Sequence, residues 1–258
     1  MSKILICCAV YDTEDNKRLQ YTKQCFESLK QTINYDTTKV VFINNASCDK
    51  AESFLRKIVN SEFDVMHNYE NKGTAYAINQ GIQKYAEPDD YVIKLDNDVS
   101  FGRWGWADEM KECFEMDSKL GILGLKRKDL PNSPDHETYK TRLKLLPHEL
   151  GQKWRIIEEC SDIIGTCTMI SPKLREAIGY FYQPGTYGYD DVLICHRSIL
   201  CGFYNAFYPC VDIEHLDTGK TPFTQWKRDY AGIYINQIDK IKEEYATGIR
   251  PIYYNPFE

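Results

Sequence analysis

The stretch Tyr91-Val92-Ile93-Lys94-Leu95-Asp96-Asn97-Asp98 reads as a buried strand that breaks off in two carboxylates. Pro88-Asp89-Asp90 turns the chain into it, and five mostly apolar residues are the length of a core strand. Immediately before the turn, Ala75, Ile78, Ile82 and Tyr85 recur at helical spacing, with Thr74 placed to cap the helix. Helix then strand then polar turn is the βα rhythm of a parallel sheet, and the rest of the chain repeats it.

Toward the N-terminus, residues 4–10 form a first buried strand ending at Tyr11-Asp12. A helix over about 17–33 carries Leu19, Phe26, Leu29 and Ile33 near one face. Val40-Val41-Phe42-Ile43 is a second strand, ending at Asn44-Asn45-Ala46-Ser47. A helix with Phe54, Leu55 and Ile58 leads to a short strand at 63–66. Toward the C-terminus the reading is a helix at 106–116, a strand at 120–125, a strand at 163–170 and a short helix at 172–178. A helix at 190–200 ended by Gly202, a strand at 203–211 and a terminal helix at 224–245 complete it. The expected fold class is α/β, a Rossmann-like mixed and mainly parallel sheet flanked by helices. One domain over 1–258 is expected, with no repeat, linker or low-complexity segment.

The 258 residues are 43% hydrophobic and 27% charged, enough to bury a core. Ten scattered cysteines with no C-x-x-C pair read as reduced thiols packed as small hydrophobes. The apolar run after Met1-Ser2-Lys3 is too short for a signal peptide or a membrane span, so a cytoplasmic protein is expected, with peripheral membrane contact left open. A net charge of −6 argues against a general nucleic-acid binder. Residues 126–155 depart from it, with eight basic against four acidic side chains, a balance of +4. Such a run is usually solvated surface. Its alternative reading is contact with an anionic partner.

In an open α/β sheet, ligands bind where strands end at their carboxyl edge. Tyr11-Asp12, Asn44-Asn45-x-Ser47-x-Asp49 and Asp96-x-Asp98 all stand there. Two carboxylates closing a buried strand repel, and a cation offsets the repulsion. Mg²⁺ or Mn²⁺ held there would bridge to diphosphate oxygens. Asp190-Asp191 opens a helix, where either residue could be a mere cap. His215 ends Val211-Asp212-Ile213-Glu214-His215, and alone a histidine there is more often structural.

Taken in order, these elements resemble the family 2 inverting glycosyltransferases of the GT-A fold, over roughly residues 3–218. The matching stretches are Ala9-Val10-Tyr11-Asp12, Asn44-Asn45-Ala46-Ser47-Cys48-Asp49, Asn71-Lys72-Gly73 and Asn79-Gln80-Gly81. Leu95 to Asp98, Gly165, Asp190-Asp191 with Arg197, and His215 complete the series. The resemblance implies that Tyr11 and Asn44 contact the base, and that Asn71, Lys72, Gly73 and Asn79 lie near the ribose and phosphates. Asp96 and Asn97 fall on the donor side; Asp98, with Asp96 and His215, would hold Mn²⁺ or Mg²⁺. Asp191, supported by Asp190, would be the general base. It implies a donor-binding half at 1–100, an acceptor half at 101–220 and a helical tail at 221–258. The implied partner is a nucleotide sugar, a UDP-sugar first, and with the basic stretch at 126–155 the resemblance allows an anionic acceptor: an acidic glycan, a lipid-linked sugar, or a hydroxylated base in nucleic acid. Ala9, Asn44, Asp190 and Leu193 depart from the family's proline, aspartate, glutamate and second aspartate. The Asn44 amide can still accept from uracil N3 and donate to O4.

Two rival readings exist. A haloacid-dehalogenase-like phosphatase also follows an apolar strand with Asp-x-Asp, but wants it on the first strand. A nucleotide-sugar-binding module without catalysis would not need Asp98, Asp191 and His215 together.

Overall fold

A computed structural model describes residues 3–130, 141–147, 153–217 and 222–258. The opening alternation is β1 (Ile4–Val10), α1 (Leu19–Thr32), β2 (Thr38–Asn45), α2 (Asp49–Ile58), β3 (Phe63–Asn68), α3 (Thr74–Tyr85) and β4 (Tyr91–Asp96). A two-residue strand, β5 (Val99–Ser100), precedes α4 (Trp106–Met116) and β6 (Leu120–Arg127). Then come β7 (Arg142–Pro147), β8 (Trp154–Cys160), β9 (Cys167–Ile170), α5 (Pro172–Ile178), α6 (Asp190–Leu200), β10 (Tyr204–His215) and α7 (Pro222–Ala246).

The sheet order is β3-β2-β1-β4-β9-β6-β10-β8-β7. β3, β2, β1 and β4 run parallel, β9 runs antiparallel between β4 and β6, and β6 and β10 are parallel. The sheet is therefore mixed, with a mainly parallel centre. β1 is the pivot: the chain winds outward through β2 and β3, then returns so that β4 lies on its other side. Reversal of strand order leaves a crevice between the carboxyl ends of β1 and β4.

Alternation along β1 builds two cores. Ile4, Ile6, Cys8 and Val10 face α1, α2 and α4 with Phe26, Leu29, Leu55, Trp106 and Met110. Leu5 and Cys7 face α3, α5 and α6 with Ala77, Ile78, Leu174, Ile178 and Ile194. Burying each such aliphatic contributes about 1.5–3 kcal/mol, which is why the central strands are continuous apolar runs. All ten cysteines are free thiols, six of them buried in these layers.

The structure differs from the sequence reading in four places. Helix α3 begins at Thr74, but Gly73 occupies the cap position at φ 92° and no side chain caps it. The strand expected over 163–170 is confined to Cys167–Ile170, the preceding residues turning toward α6. The last strand runs on to His215, where it pairs with β5. Over 142–160 a hairpin appears, β7 with β8, where the sequence reading left a basic, proline-containing connection.

The cations of the stretch 126–155 are ion-paired. Lys126 meets Glu158, Arg127 meets Asp129, Lys128 meets Glu214 and Arg142 meets Glu159. Lys144 meets Asp117, while Lys153 and Arg155 share Glu112. Lys140 lies outside the described residues. Most of the acids come from outside the segment, so the local excess of +4 is neutralised in space, and the charge argument for an anionic acceptor loses its footing.

Candidate functional site

A cleft of about 600 Å³ opens at the β1/β4 crevice, lined by Tyr11, Arg18, Asn45, Asn71, Asp96, Asn97, Asp98, Thr186, Tyr187, Trp226 and Lys227 among others. The cleft thus draws on all three segments named from the sequence.

Its floor is cross-braced. Asp12, fully buried at the end of β1, accepts from the Thr22 hydroxyl at 2.6 Å and the Asn97 amide at 3.0 Å. Asn97 also donates to Thr22 at 2.7 Å. The Asp12 amide donates to Ser47, and its carbonyl accepts from Cys48. One residue, through its carboxylate and its backbone, therefore ties the ends of β1, β2 and β4 to α1, and Asn97 holds the bend that presents its two flanking aspartates.

Asp98 is 1% exposed. Its Oδ2 meets the Arg18 guanidinium and lies 3.3 Å from His215 Nε2. Arg18 forks onward to Asp217 at 2.6 Å, and Lys227 stands 3.9 Å from the same carboxylate. Burial alone would push the Asp98 carboxyl up, but His215 and Arg18 outweigh it and hold it well below the usual carboxylate range. Asp98 Oδ1 and His215 Nδ1 are buried without a hydrogen-bond partner. His215 is carried there by the β5–β10 pairing, and Leu216 N donates to the Asp98 carbonyl. Asp96 points elsewhere, its Oδ1 3.9 Å from Lys94 Nζ, and burial raises its carboxyl. Among the described residues no group of three or more His, Cys, Asp or Glu forms a ready-made metal cage. A hard cation fits all the same: an unpartnered carboxylate oxygen and a histidine nitrogen beside one cleft are the donors it takes, the remainder coming from oxygens of a ligand.

Asp191 is the second residue of α6 and is not among the residues lining the cleft. Gly165 N donates to its Oδ2 at 3.0 Å and Val192 N to its Oδ1 at 2.9 Å. Burial and the neighbouring Asp190 push its carboxyl up to about 6. Asp190 is ion-paired with Lys94 at 2.8 Å and receives a bond from Gln183. Neither aspartate is the helix cap, since Tyr189 holds that position at φ 65°.

The remaining expected residues divide. Asn71 lines the cleft and accepts from Asn45 at 2.7 Å, Lys72 is exposed, and Gly73 lies against Thr186. Asn44 is 2% exposed and not on the cleft wall; it braces Ser47 N and His67, whereas Asn45 faces the cleft. Strand alternation separates these neighbours, which sequence spacing alone does not resolve. Asn79 clasps both backbone groups of Phe181, at 2.8 and 3.0 Å, and is a brace within the core. Sequence reasoning passed over Arg18, Lys94, Tyr187, Asp217 and Lys227. Lys94 alone carried a signal, a lysine in an otherwise apolar strand.

Gly73 admits one prediction. A Cβ there would lie 2.8 Å from Thr186 Cα, and φ is +92°. Gly73→Ala is expected to cost roughly 1–3 kcal/mol in denaturant unfolding, since backbone cannot yield as a side chain can. Unchanged stability would show that the two loops move apart freely.

The mixed sheet order and the crevice between β1 and β4 are those of a GT-A fold. Residues 14–179 match the family model described as glycosyl transferase family 2, and the chain belongs to that family. A 92-residue stretch is 34% identical to poly-beta-1,6-N-acetyl-D-glucosamine synthase of Staphylococcus aureus strain COL, covering 35% of this chain and 22% of that protein. The chain thus spans about a fifth of that relative's length. Among solved structures, mannosyltransferase PcManGT from Pyrobaculum calidifontis, in complex with GDP-Man and Mn²⁺, superposes with TM-score 0.62 at 16% identity over 89% of this chain and 61% of that one. GalNAc-T7 with UDP, GalNAc and Mn²⁺ gives 0.60 at 14%, covering 83% and 44%. S. aureus TarS 1–349 with UDP-GlcNAc gives 0.60 at 15%, covering 84% and 61%. At such identities they attest the fold. Family membership removes the phosphatase reading. Among the described residues no helix is long and apolar enough to cross a membrane.

Proposed function

We propose that this chain transfers one sugar from a nucleotide-diphosphate donor, a UDP-sugar first, to an acceptor hydroxyl with inversion. One arrangement carries the reading: Asp191, held by Gly165 N and Val192 N beside the Lys94–Asp190 ion pair, and Asp98, paired with His215, both act on Tyr187, which lines the cleft. Asp191 takes the proton of the acceptor hydroxyl as that oxygen bonds to the anomeric carbon. The bond from that carbon to the diphosphate oxygen breaks, and the nucleoside diphosphate leaves with the electron pair. Single displacement inverts the centre. Asp98 and His215 would hold Mn²⁺ or Mg²⁺, with diphosphate oxygens completing its shell. Bound there, the ion supplies Lewis-acid stabilisation of the departing diphosphate. Arg18 and Lys227 add fixed positive charge on the same wall. The donor base lies toward Tyr11 and Asn45.

UDP is the first choice because the GalNAc-T7 and TarS structures hold it; the GDP-Man complex of PcManGT makes GDP-mannose the comparison. The test is thermal shift with UDP- and GDP-sugars, with and without Mn²⁺. A ligand at a hundred times its Kd adds about 2.7 kcal/mol. For a chain of this size that is a rise of about 5–10 °C. No shift from any nucleotide sugar with Mn²⁺ overturns the reading.

The pH profile gives a second check. The base must be ionised, so kcat/KM should rise with pH through an apparent pKa near 6 and level off above it. The same shift opposes stability: the folded state holds this proton more tightly than the unfolded chain. Asp191's contribution is therefore full below the ordinary aspartate range and lost as pH climbs through about 6. An acid limb near the ordinary aspartate value of about 4 would remove Asp191 as base.

A further inference from the structure

We propose that Lys94 is a positioning residue: its ammonium joins the donor-side Asp96 to the Asp190–Asp191 pair and keeps Asp190 engaged, so that Asp191 receives the proton. The inference rests on Asp191 being the base. Lys94 lies on β4 between fully buried Ile93 and Leu95, and is itself 4% exposed. Lysines are almost never so buried unless paired. An ammonium has three donors, and three oxygens surround this one: Asp190 Oδ2 at 2.8 Å, the Gly165 carbonyl at 3.1 Å and Asp96 Oδ1 at 3.9 Å.

The Gly165 residue is gripped at both ends. Lys94 takes its carbonyl while its amide donates to Asp191 Oδ2. A Cβ at Gly165 would come 2.8 Å from Lys94 Nζ and 3.0 Å from the Asp191 Cβ, so the turn from β9 toward α6 closes on the lysine without slack. The next residue, Thr166, accepts from Asp96 N at 3.0 Å. Lys94, Gly165-Thr166 and the two aspartates of α6 are therefore one connected unit that joins the end of β4 to the start of α6. Lys94 also places a positive charge beside adjacent carboxylates that would otherwise repel. Around Asp191 the titratable groups are Lys94 from β4, Tyr187 and Tyr189 from the loop, and Asp190 and Cys195 on α6.

The experiment compares Lys94→Met, Asp190→Asn and the double variant, reading kcat, UDP affinity with Mn²⁺, and the acid limb of kcat/KM. Lys94→Met should lower kcat by about 10²-fold, as a misplaced catalytic group does, with UDP affinity within about threefold of wild type. Its acid limb should move upward, because the cation is gone and the like charge stays. Lys94→Met/Asp190→Asn should regain about tenfold in kcat, since it leaves no unpaired buried carboxylate. A double variant no faster than Lys94→Met, or an unmoved acid limb, overturns the proposal. If Lys94→Met does not fold, Asp190→Asn alone decides: its acid limb should fall below that of wild type, and an unmoved limb overturns the proposal. If Asp191→Asn itself stays active, the base reading has failed, which is a different outcome from an inactive Asp191→Asn with a Lys94→Met that behaves as wild type.

Discussion

Asp191→Asn is expected to lower kcat by about 10² to 10⁴, the usual loss on removing a general base. The amide keeps the size of the side chain, and its one oxygen can still accept from either Gly165 N or Val192 N, which now bond to different carboxylate oxygens. It cannot take the acceptor proton. UDP affinity and its dependence on Mn²⁺ should survive, because Asp98, His215 and Arg18 form their own ion-paired cluster, which the substitution leaves intact. A purely structural Asp191 predicts the reverse pattern, a lowered melting temperature with kcat nearly intact. Measuring kcat, UDP affinity and melting temperature on one preparation separates the two, and turnover near the wild-type rate would end the mechanism proposed here.

Asp98→Ala should have the largest effect on stability. The variant removes one anion from a buried cluster in which Arg18, Lys227 and His215 face Asp98 and Asp217. Removing one partner of a buried pair typically costs about 3–5 kcal/mol, because the other charge stays desolvated. For a chain of this length that corresponds to a fall of about 10 °C in melting temperature. An exposed pair would be worth under about 1 kcal/mol, so the size of the drop reports the burial. In isothermal titration, UDP should bind the variant equally with and without Mn²⁺. Retention of the full Mn²⁺ effect would move the ion site off Asp98.

The strand–helix alternation, the helix bounds at 106–116, 172–178 and 190–200, and the placing of carboxylates at strand ends were legible in the chain itself. They follow from local physics: side-chain period, turn residues and the need to bury apolar runs. What failed locally was of another kind. The β7–β8 hairpin is rich in charged residues that also read as a solvated loop, and only pairing beside β10 makes it sheet. Asn44 and Asn45 are equivalent in sequence; the pleat of β2 alone sends one to the core and the other to the cleft.

The sequence by itself determined the family, the sheet's parallel centre and the aspartates that close β4 and open α6. Only the tertiary structure decided their company. Arg18 and Asp98 are 80 residues apart, and Lys94 and Asp190 are 96 apart. No spacing rule links positions so distant, since their meeting depends on the strand reversal beside β1 and on β9 inserting between β4 and β6. The basic stretch shows the same limit from the other side. Its charge was countable along the chain, but its neutralisation by Glu112, Asp117, Glu158, Glu159 and Glu214 exists only in space, where Coulomb energy depends on distance and burial, not on order in the sequence.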